Sequence, residues 1–162
     1  FYAQYLLAST LRNGDAHLKN FGLLYSSTQA PMLSPVYDML SMSVYAPKDN
    51  SGDANDAMAL TFGGTKRWLN ANSIQALATH CLISSAKQKT WANALSSALL
   101  RTADAVMAFQ TRYPQNGFSP QAARMLTLWG YGMNAIDPDV AQMLWLKARQ
   151  LHDQAQGNTA IP

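Results

Sequence analysis

The chain has 162 residues, of which 48% are hydrophobic and only 13% are charged, and its net charge is +3. The length suits a single domain, but the charged fraction is about half the usual value of roughly 25%, which favours a surface partly covered by a partner or by another piece of chain. The sequence lacks the clustered cations of a nucleic-acid binder and the long apolar run of a membrane span. Its single cysteine, Cys81, excludes an intrachain disulfide and favours a reducing, cytoplasmic compartment.

The first twelve residues predict a helix that is buried on most sides. Apolar residues stand at positions 2, 3, 5, 6, 7 and 11, which is more than one helical face requires. Because the chain starts with Phe1 inside this pattern and not with Met, we expect it to be part of a longer protein. Asn13 and Gly14 end the helix, glycine being the usual residue just past a helix end.

A stretch of charged, amide, imidazole and glycine residues follows at 13–21, Asn-Gly-Asp-Ala-His-Leu-Lys-Asn-Phe. Asp15 and Asn20 are five positions apart, which is the spacing of the protein-kinase catalytic loop. There the Asp orients or deprotonates the substrate hydroxyl and the Asn helps to hold a metal ion. The alternative is a polar turn whose Asp and Asn cap the backbone. The flanking glycine, histidine and lysine and the apolar run after Asn20 favour the catalytic loop.

A short hairpin is predicted next. Residues 21–25 have the pattern of a strand, residues 26–31 that of a turn and residues 32–34 that of a second strand. Asn20 then lies at one end of the hairpin and Asp38 just beyond the other. We expect the Asp38 carboxylate and the Asn20 amide oxygen within about 6 Å of each other, because one Mg²⁺ with ligands at about 2.0–2.1 Å must touch both.

Together with Leu-Ser-Pro-Val-Tyr-Asp-Met-Leu-Ser at residues 33–41, this loop resembles the C-terminal half of HipA-family kinases. These are serine/threonine kinases that form the toxin half of bacterial toxin–antitoxin pairs. The close resemblance covers about residues 11–41. It implies an α+β, mostly α fold over residues 1–162: the helix-rich C-terminal lobe of a protein-kinase-like fold, with a small β-hairpin at the active site.

The resemblance also implies a role for each matching residue. It makes Asp15 the catalytic aspartate, and it makes Asn20 and Asp38 the Mg²⁺ ligands beside the bound ATP. The remaining phosphate-binding residues that it implies are His17, Lys19 and Tyr37. The implied partners are a missing N-terminal kinase lobe, a protein substrate and a DNA-binding, HipB-like antitoxin.

Two other functions compete with this one. Small-molecule kinases of the aminoglycoside or choline type carry a similar His-Gly-Asp-x-His-x-x-Asn loop, but Lys19 before Asn20 and Tyr37 before Asp38 favour the HipA family, since the other class usually has Ile-Asp in the second motif. The third function is a non-catalytic helical interaction module that retains a kinase loop.

The chain lacks the glycine-rich loop and strand lysine of a kinase N-lobe. We therefore expect residues 1–162 alone to fold but to be catalytically incompetent, with apolar residues such as Leu18 or Met39 exposed where the other lobe packs.

Beyond the motifs the chain predicts a loop and then helices. Residues 46–57 read as a flexible polar loop, residues 58–62 as a weakly alternating strand and residues 63–66 as a plain turn. Asn70 or Asn72 is expected to cap a helix that includes Cys81 as a core residue.

Three more helices are expected after it. The first runs from about 86 to 112 and buries a stripe made of Trp91, Leu95, Leu99, Thr102, Val106 and Phe109. The second starts at Ser119-Pro120 and is broken by Gly130-Tyr131-Gly132. The third starts at Asp137-Pro138, and residues 154–162 are expected to fray. The buried face of this third helix is predicted to be Ala141, Leu144, Trp145, Ala148 and Leu151.

Overall fold

The computed structural model describes residues 1–27, 30–50 and 54–157. Over these residues it contains five α-helices, two short 3-10 helices and one two-stranded antiparallel sheet, so the expected mostly helical fold with a small hairpin is confirmed. The chain divides into two compact units, one formed by Phe1–Ser84 and the other starting at Ser85. None of the helices in the described ranges is both long and apolar enough to cross a membrane.

The first unit is built on helix α1, Tyr2–Thr10, most of which is buried as predicted. The helix ends in a turn that two nested hydrogen bonds close. Arg12 N–H donates to Ser9 O at 3.2 Å, and Asn13 N–H donates to Ala8 O at 2.9 Å. This is the Schellman arrangement, and the residue that adopts the left-handed conformation in it is Arg12, with φ of 56°. The expectation that glycine ends the helix was therefore wrong by two positions. Gly14 instead allows the Asp56 side chain to pack closely against the backbone.

The hairpin is present but shorter than predicted. Strand β1 is Leu23–Leu24 and strand β2 is Met32–Leu33, with Leu23 opposite Leu33 and Leu24 opposite Met32. Ser34 N–H adds one further hydrogen bond to Gly22 O at 2.9 Å. Of the predicted turn, residues 28 and 29 lie outside the described residues.

The segment predicted as a strand at 58–62 does not form one. Met58 N–H donates to Lys66 O at 2.9 Å, and Phe62 and Thr65 pair across a tight turn. A strand needs a neighbour that continues its hydrogen bonds, whereas the first contact is a single hydrogen bond and the second an isolated bridge. The turn predicted at 63–66 is confirmed, since Gly63 and Gly64 have φ of 57° and 76°, values that favour glycine.

Helix α2, Ala71–His80, completes the first unit. Its cap is Asn70, whose Oδ1 accepts from Ser73 N–H at 3.0 Å, so the first of the two caps considered is the correct one. Cys81 at its end is only half-buried, which is less than a core position requires.

The second unit consists of helices α3, Ser85–Arg112, α4, Ser119–Met133, and α5, Pro138–Gly157. The packing between α4 and α5 is the most extensive of the unit. The predicted face of α5 is confirmed, because four of its five residues are almost completely buried and the fifth, Trp145, is half-buried. The four are Ala141, Leu144, Ala148 and Leu151. Fraying was expected from residue 154, but the helix continues to Gly157, and residues 158–162 lie outside the described residues.

Helix α3 buries only part of the predicted stripe: Leu99 is buried, but the buried face is shifted away from Thr102 and Phe109. Its buried residues are Ser96, Leu99, Ala103 and Gln110, whereas Phe109 is 48% exposed. Polar contacts set this orientation: Ser96 Oγ donates to Asp137 Oδ2 at 2.8 Å and Ser119 Oγ donates to Gln110 Oε1 at 2.8 Å. A search for apolar residues at helical spacing cannot detect a face that is fixed by a serine and a glutamine.

Helix α4 runs through the three residues that were predicted to break it. A Cβ on Gly130 would lie 2.2 Å from Trp145 Nε1, a distance that no real side chain tolerates. The indole instead lies over the bare glycine and donates to Thr127 O at 3.1 Å. The glycine thus permits close packing of two helices, at a cost in helix propensity of about 1 kcal/mol.

Candidate active site

The site begins where α1 ends. Asp15 follows the last turn of the helix, and its backbone N–H donates to Asn13 Oδ1 at 3.2 Å. The Asp15 side chain is exposed, and its carboxylate receives no hydrogen bond from any residue in the described ranges. It is therefore available to accept a proton or hydrogen bond from a bound molecule.

A single 3-10 turn, Leu18–Asn20, then brings Asn20 inward. His17 N–H donates both to Asp15 O at 2.8 Å and to Asn20 Oδ1 at 3.0 Å. These bonds close the loop on itself and leave Asn20 only 5% exposed. The amide orientation of Asn20 follows from them, because its oxygen must face the His17 donor and its NH₂ group must then point away.

That NH₂ group points at Asp38. Asn20 Nδ2 donates to Asp38 Oδ2 at 2.9 Å, joining side chains that are 18 positions apart in the sequence. The two side chains therefore lie close together, as expected, but the atom of Asn20 that contacts Asp38 is the amide nitrogen and not the amide oxygen named in the prediction. Asp38 has φ of 54°, a left-handed conformation that is uncommon for a residue with a side chain and that concentrates at functional sites.

The chemistry of this pair fits Mg²⁺. Carboxylate and amide oxygens are the hard ligands that Mg²⁺ prefers, and it commonly takes one or two from a protein and completes its shell with water and phosphate. Asp38 is exposed, and its second oxygen, Oδ1, has no donor among the residues that the structure describes. No group of three or more His, Cys, Asp or Glu side chains suited to a metal occurs in those residues.

The other three predicted site residues lie around this pair. His17 and Lys19 are exposed on the same turn, and the Tyr37 hydroxyl donates to Lys19 O. Tyr37 thereby ties the segment before Asp38 to the turn that ends at Asn20. Leu18 is 72% exposed, as expected, whereas Met39 is partly buried.

One residue that sequence reasoning treated only as a helix end is part of the site. Asn13 is 1% exposed. Besides accepting from Asp15 N–H, it donates from Nδ2 to Asp38 O at 3.1 Å. The sequence does show an asparagine directly after the predicted helix and two residues before Asp15, but its burial and its contact with Asp38 are visible only in the structure.

A second missed residue is Asp56, which falls in the predicted flexible loop 46–57. Its carboxylate is partly buried and accepts from Ser43 Oγ at 2.6 Å and from Ala57 N–H at 2.8 Å. It packs against Gly14, where a Cβ would lie 2.2 Å from Asp56 Oδ1. Gly14 is needed for this contact and not for its backbone angles. Residues 51–53 of that loop lie outside the described residues.

Asp15 and Asp56 line an open depression in the surface together with Gly14, Met42, Tyr45 and Ala46. The depression lies beside the Asp15 carboxylate and is mostly open to solvent. Small-molecule sites, by contrast, usually enclose most of the ligand surface.

Burial raises the pKa of two tyrosines of α1. The hydroxyls of Tyr2 and Tyr5 both titrate above the ordinary value of 10.0, chiefly because burial disfavours the phenolate and, for Tyr2, also because Cys81 lies close by. Tyr5 additionally donates to Leu60 O at 3.1 Å. These groups belong to the support under the loop and not to the site itself.

Comparison with known proteins gives consistent results. The family model described as "HipA-like C-terminal domain" matches residues 1–108. A Sinorhizobium fredii protein named "Putative kinase Y4dM" is 37% identical over 67 residues, which are 41% of this chain and 15% of that protein. A Haemophilus influenzae protein named "Putative kinase" is 38% identical over 50 residues, which are 31% of this chain and 15% of that protein. Each match thus spans about 15% of the relative's length. No solved structure gives a significant match.

Proposed function

Because the chain belongs to the HipA-like C-terminal domain family, we propose that it is the catalytic lobe of a serine/threonine kinase with a protein-kinase-like fold. It transfers the γ-phosphate of ATP to a protein hydroxyl with the help of Mg²⁺. The two relatives named as kinases support the reaction class. The serine/threonine specificity and the individual roles follow from the resemblance and from the chemistry of the site.

The observation that carries the proposal is the contact between Asn20 and Asp38. Their side chains meet at 2.9 Å across 18 positions of sequence, and an exposed carboxylate, Asp15, stands five residues before Asn20. This combination supports the two functions that phosphoryl transfer needs from a protein: Asp15 is the carboxylate proposed for the hydroxyl, and Asp38 with the neighbouring Asn20 is the pair proposed to hold the metal.

In this mechanism Asp15 acts on the acceptor. Its carboxylate, which has no intramolecular donor in the described residues, accepts the hydrogen bond of the attacking hydroxyl and takes its proton as transfer proceeds. The open depression lies beside this carboxylate, and we assign it to the acceptor side chain of the protein substrate.

Asp38 and Asn20 act on the nucleotide side. These two side chains would hold a Mg²⁺ ion, which would supply positive charge against the negative charge that develops on the phosphate oxygens. Asp38 offers the free carboxylate oxygen for it, and Asn20 offers the second lone pair of Oδ1, since His17 N–H uses only one. The exposed side chains of His17 and Lys19 supply donors and positive charge for the phosphates, and Tyr37 holds the Lys19 backbone in place.

Three further parts of the proposal concern the whole protein. The matched segments are a small share of the relatives, so the N-terminal kinase lobe is proposed as the missing half of the nucleotide cleft. The exposed Leu18 is suited to contact with it. A DNA-binding, HipB-like antitoxin is proposed as the partner on the family resemblance alone.

The test is phosphoryl transfer by the intact protein with radiolabelled ATP and Mg²⁺. Asp15→Asn should reduce transfer by about 10²–10⁴-fold, the usual contribution of a general acid or base. The matched control is Asp153→Asn, which makes the same charge change on the exposed side of α5 and should transfer at the parental rate. Equal transfer by Asp15→Asn and the parent, or no transfer by the intact parent to any protein hydroxyl, would overturn the proposal.

A further inference from the structure

We infer that Asn13 is a positioning residue that sets the distance between the hydroxyl-binding carboxylate of Asp15 and the metal-binding carboxylate of Asp38. The inference rests on the proposed function. It adds a residue that neither the motif spacing nor the family resemblance assigned to the site.

Asn13 is rigidly held. Its backbone N–H donates to Ala8 O at 2.9 Å, which makes it the last residue fixed by the terminal turn of α1. Its side chain is 1% exposed. The amide therefore projects from the end of a buried helix, and its position is determined by that helix.

The two polar atoms of the Asn13 amide reach the two loops of the site. Oδ1 accepts from Asp15 N–H at 3.2 Å, and Nδ2 donates to Asp38 O at 3.1 Å. Nδ2 also lies 3.5 Å from Met39 Sδ. One side chain thus holds the backbone of both carboxylate residues, which are otherwise separated by the whole hairpin.

Asp38 requires this support from Asn13. Its φ of 54° places it in a left-handed conformation that costs energy for a residue with a side chain. The hydrogen bond from Asn13 holds its carbonyl in the orientation that this conformation produces. Asn20 meanwhile holds Oδ2 of the same residue at 2.9 Å, so Asp38 is fixed at both its backbone and its side chain.

Only an amide of this length supplies both a donor and an acceptor in these directions. Asn13→Asp keeps the shape and the acceptor for Asp15 N–H but removes the donor to Asp38, whereas Asn13→Ala removes both. The two variants therefore separate the two arms of the bridge. Thr10→Val is the matched control, since Thr10 is equally buried at the same helix end and donates only to Leu6 O within the helix, at 2.8 Å.

The measurements are Mn²⁺ binding by calorimetry without nucleotide and the kcat of phosphoryl transfer, both on the intact protein at about pH 8, far above the ordinary Asp pKa of about 3.9. Loss of a group that orients a metal ligand typically costs 10–100-fold in metal affinity. We expect Mn²⁺ affinity to fall by at least about 10-fold in both Asn13 variants. We also expect kcat to fall by about 10²-fold in Asn13→Ala, where Asp15 is released as well.

A purely structural role would give a different result. Asn13→Asp and Thr10→Val would then lower the thermal midpoint alike and leave Mn²⁺ affinity and kcat at the parental values, and this outcome would overturn the inference. Asn13→Asp is nearly isosteric and preserves the test if Asn13→Ala does not fold. An active parent with unaffected Asn13 variants refutes only the role of Asn13. A parent that neither binds Mn²⁺ nor transfers phosphate refutes the proposed function, and this role with it.

Discussion

Replacement of Gly14 by alanine tests the contact that closes the loop beside Asp15. A Cβ at this position would lie 2.2 and 2.3 Å from the two carboxylate oxygens of Asp56. Gly14 does not have a positive φ, so alanine can adopt its backbone conformation without strain. Any loss of stability must then come from displacement of the Asp56 side chain.

The size of that loss follows from the bonds that would break. Asp56 accepts from Ser43 Oγ at 2.6 Å and from Ala57 N–H at 2.8 Å. Hydrogen bonds to a charged group are worth about 1.5–3 kcal/mol each, but Asp56 is only partly buried and water replaces part of them. Alanine also restricts the unfolded chain, which stabilises by about 0.4–1 kcal/mol. We expect Gly14→Ala to lower the free energy of unfolding by about 0.5–2 kcal/mol.

A double-mutant cycle with Asp56→Ala isolates this effect. Without the carboxylate there is no clash, and Ser43 Oγ can still donate to Arg12 O at 2.9 Å. In that background Gly14→Ala should be neutral or stabilising, which gives a coupling free energy of about 1–3 kcal/mol. The assay is urea unfolding of the four proteins with comparison of midpoints and m-values. A coupling close to zero would show that Asp56 does not pack on Gly14 as described.

Two further predictions concern the support around the site. Gly130→Ala should destabilise the protein in the parental background, because its Cβ would overlap the Trp145 indole. In a Trp145→Leu background it should instead stabilise α4 by up to about 1 kcal/mol, and destabilisation of equal size in both backgrounds would contradict the packing. Burial raises the pKa of the Tyr5 hydroxyl above 10.0 in the folded protein. Ionisation of Tyr5 should therefore leave the free energy of unfolding unchanged below pH 10. Above pH 10 the unfolded chain loses this proton first, so the free energy of unfolding should fall as the pH rises through the raised pKa. Tyr5→Phe should flatten this decline in urea unfolding between about pH 9 and 11, and an unchanged slope would rule out Tyr5 as its source.

The parts of the site that the sequence predicted are those that depend on local chemistry. Asp15 and Asn20 are five positions apart, so one short turn determines the distance between them. A hairpin after Asn20 returns the chain to the same end, where Asp38 contacts Asn20. This geometry needs no knowledge of the rest of the fold.

The parts that it missed depend on contacts between distant segments. Asn13 looks like a helix end because its partner Asp38 is 25 positions away. Asp56 looks like one of several acids in a polar loop, and nothing in its neighbours shows that it packs on Gly14. The same reason explains the error at Gly130: a glycine that breaks an isolated helix is tolerated in α4 because Trp145 occupies the space of the missing Cβ.

The central claim is that Asp38 acts on the metal ion and Asp15 on the acceptor hydroxyl. Calorimetry of Mg·ATP binding to the intact protein tests this claim most directly. Asp38→Ala should weaken Mg·ATP binding by at least about 10-fold, because it removes a metal ligand. Asp15→Asn should bind Mg·ATP with the parental affinity, because positioning of the hydroxyl matters in the transition state and not in nucleotide binding. If Asp38→Ala and the parent bind Mg·ATP equally, or if Asp15→Asn loses as much affinity as Asp38→Ala, the assignment of Asp38 to the metal and Asp15 to the acceptor is wrong.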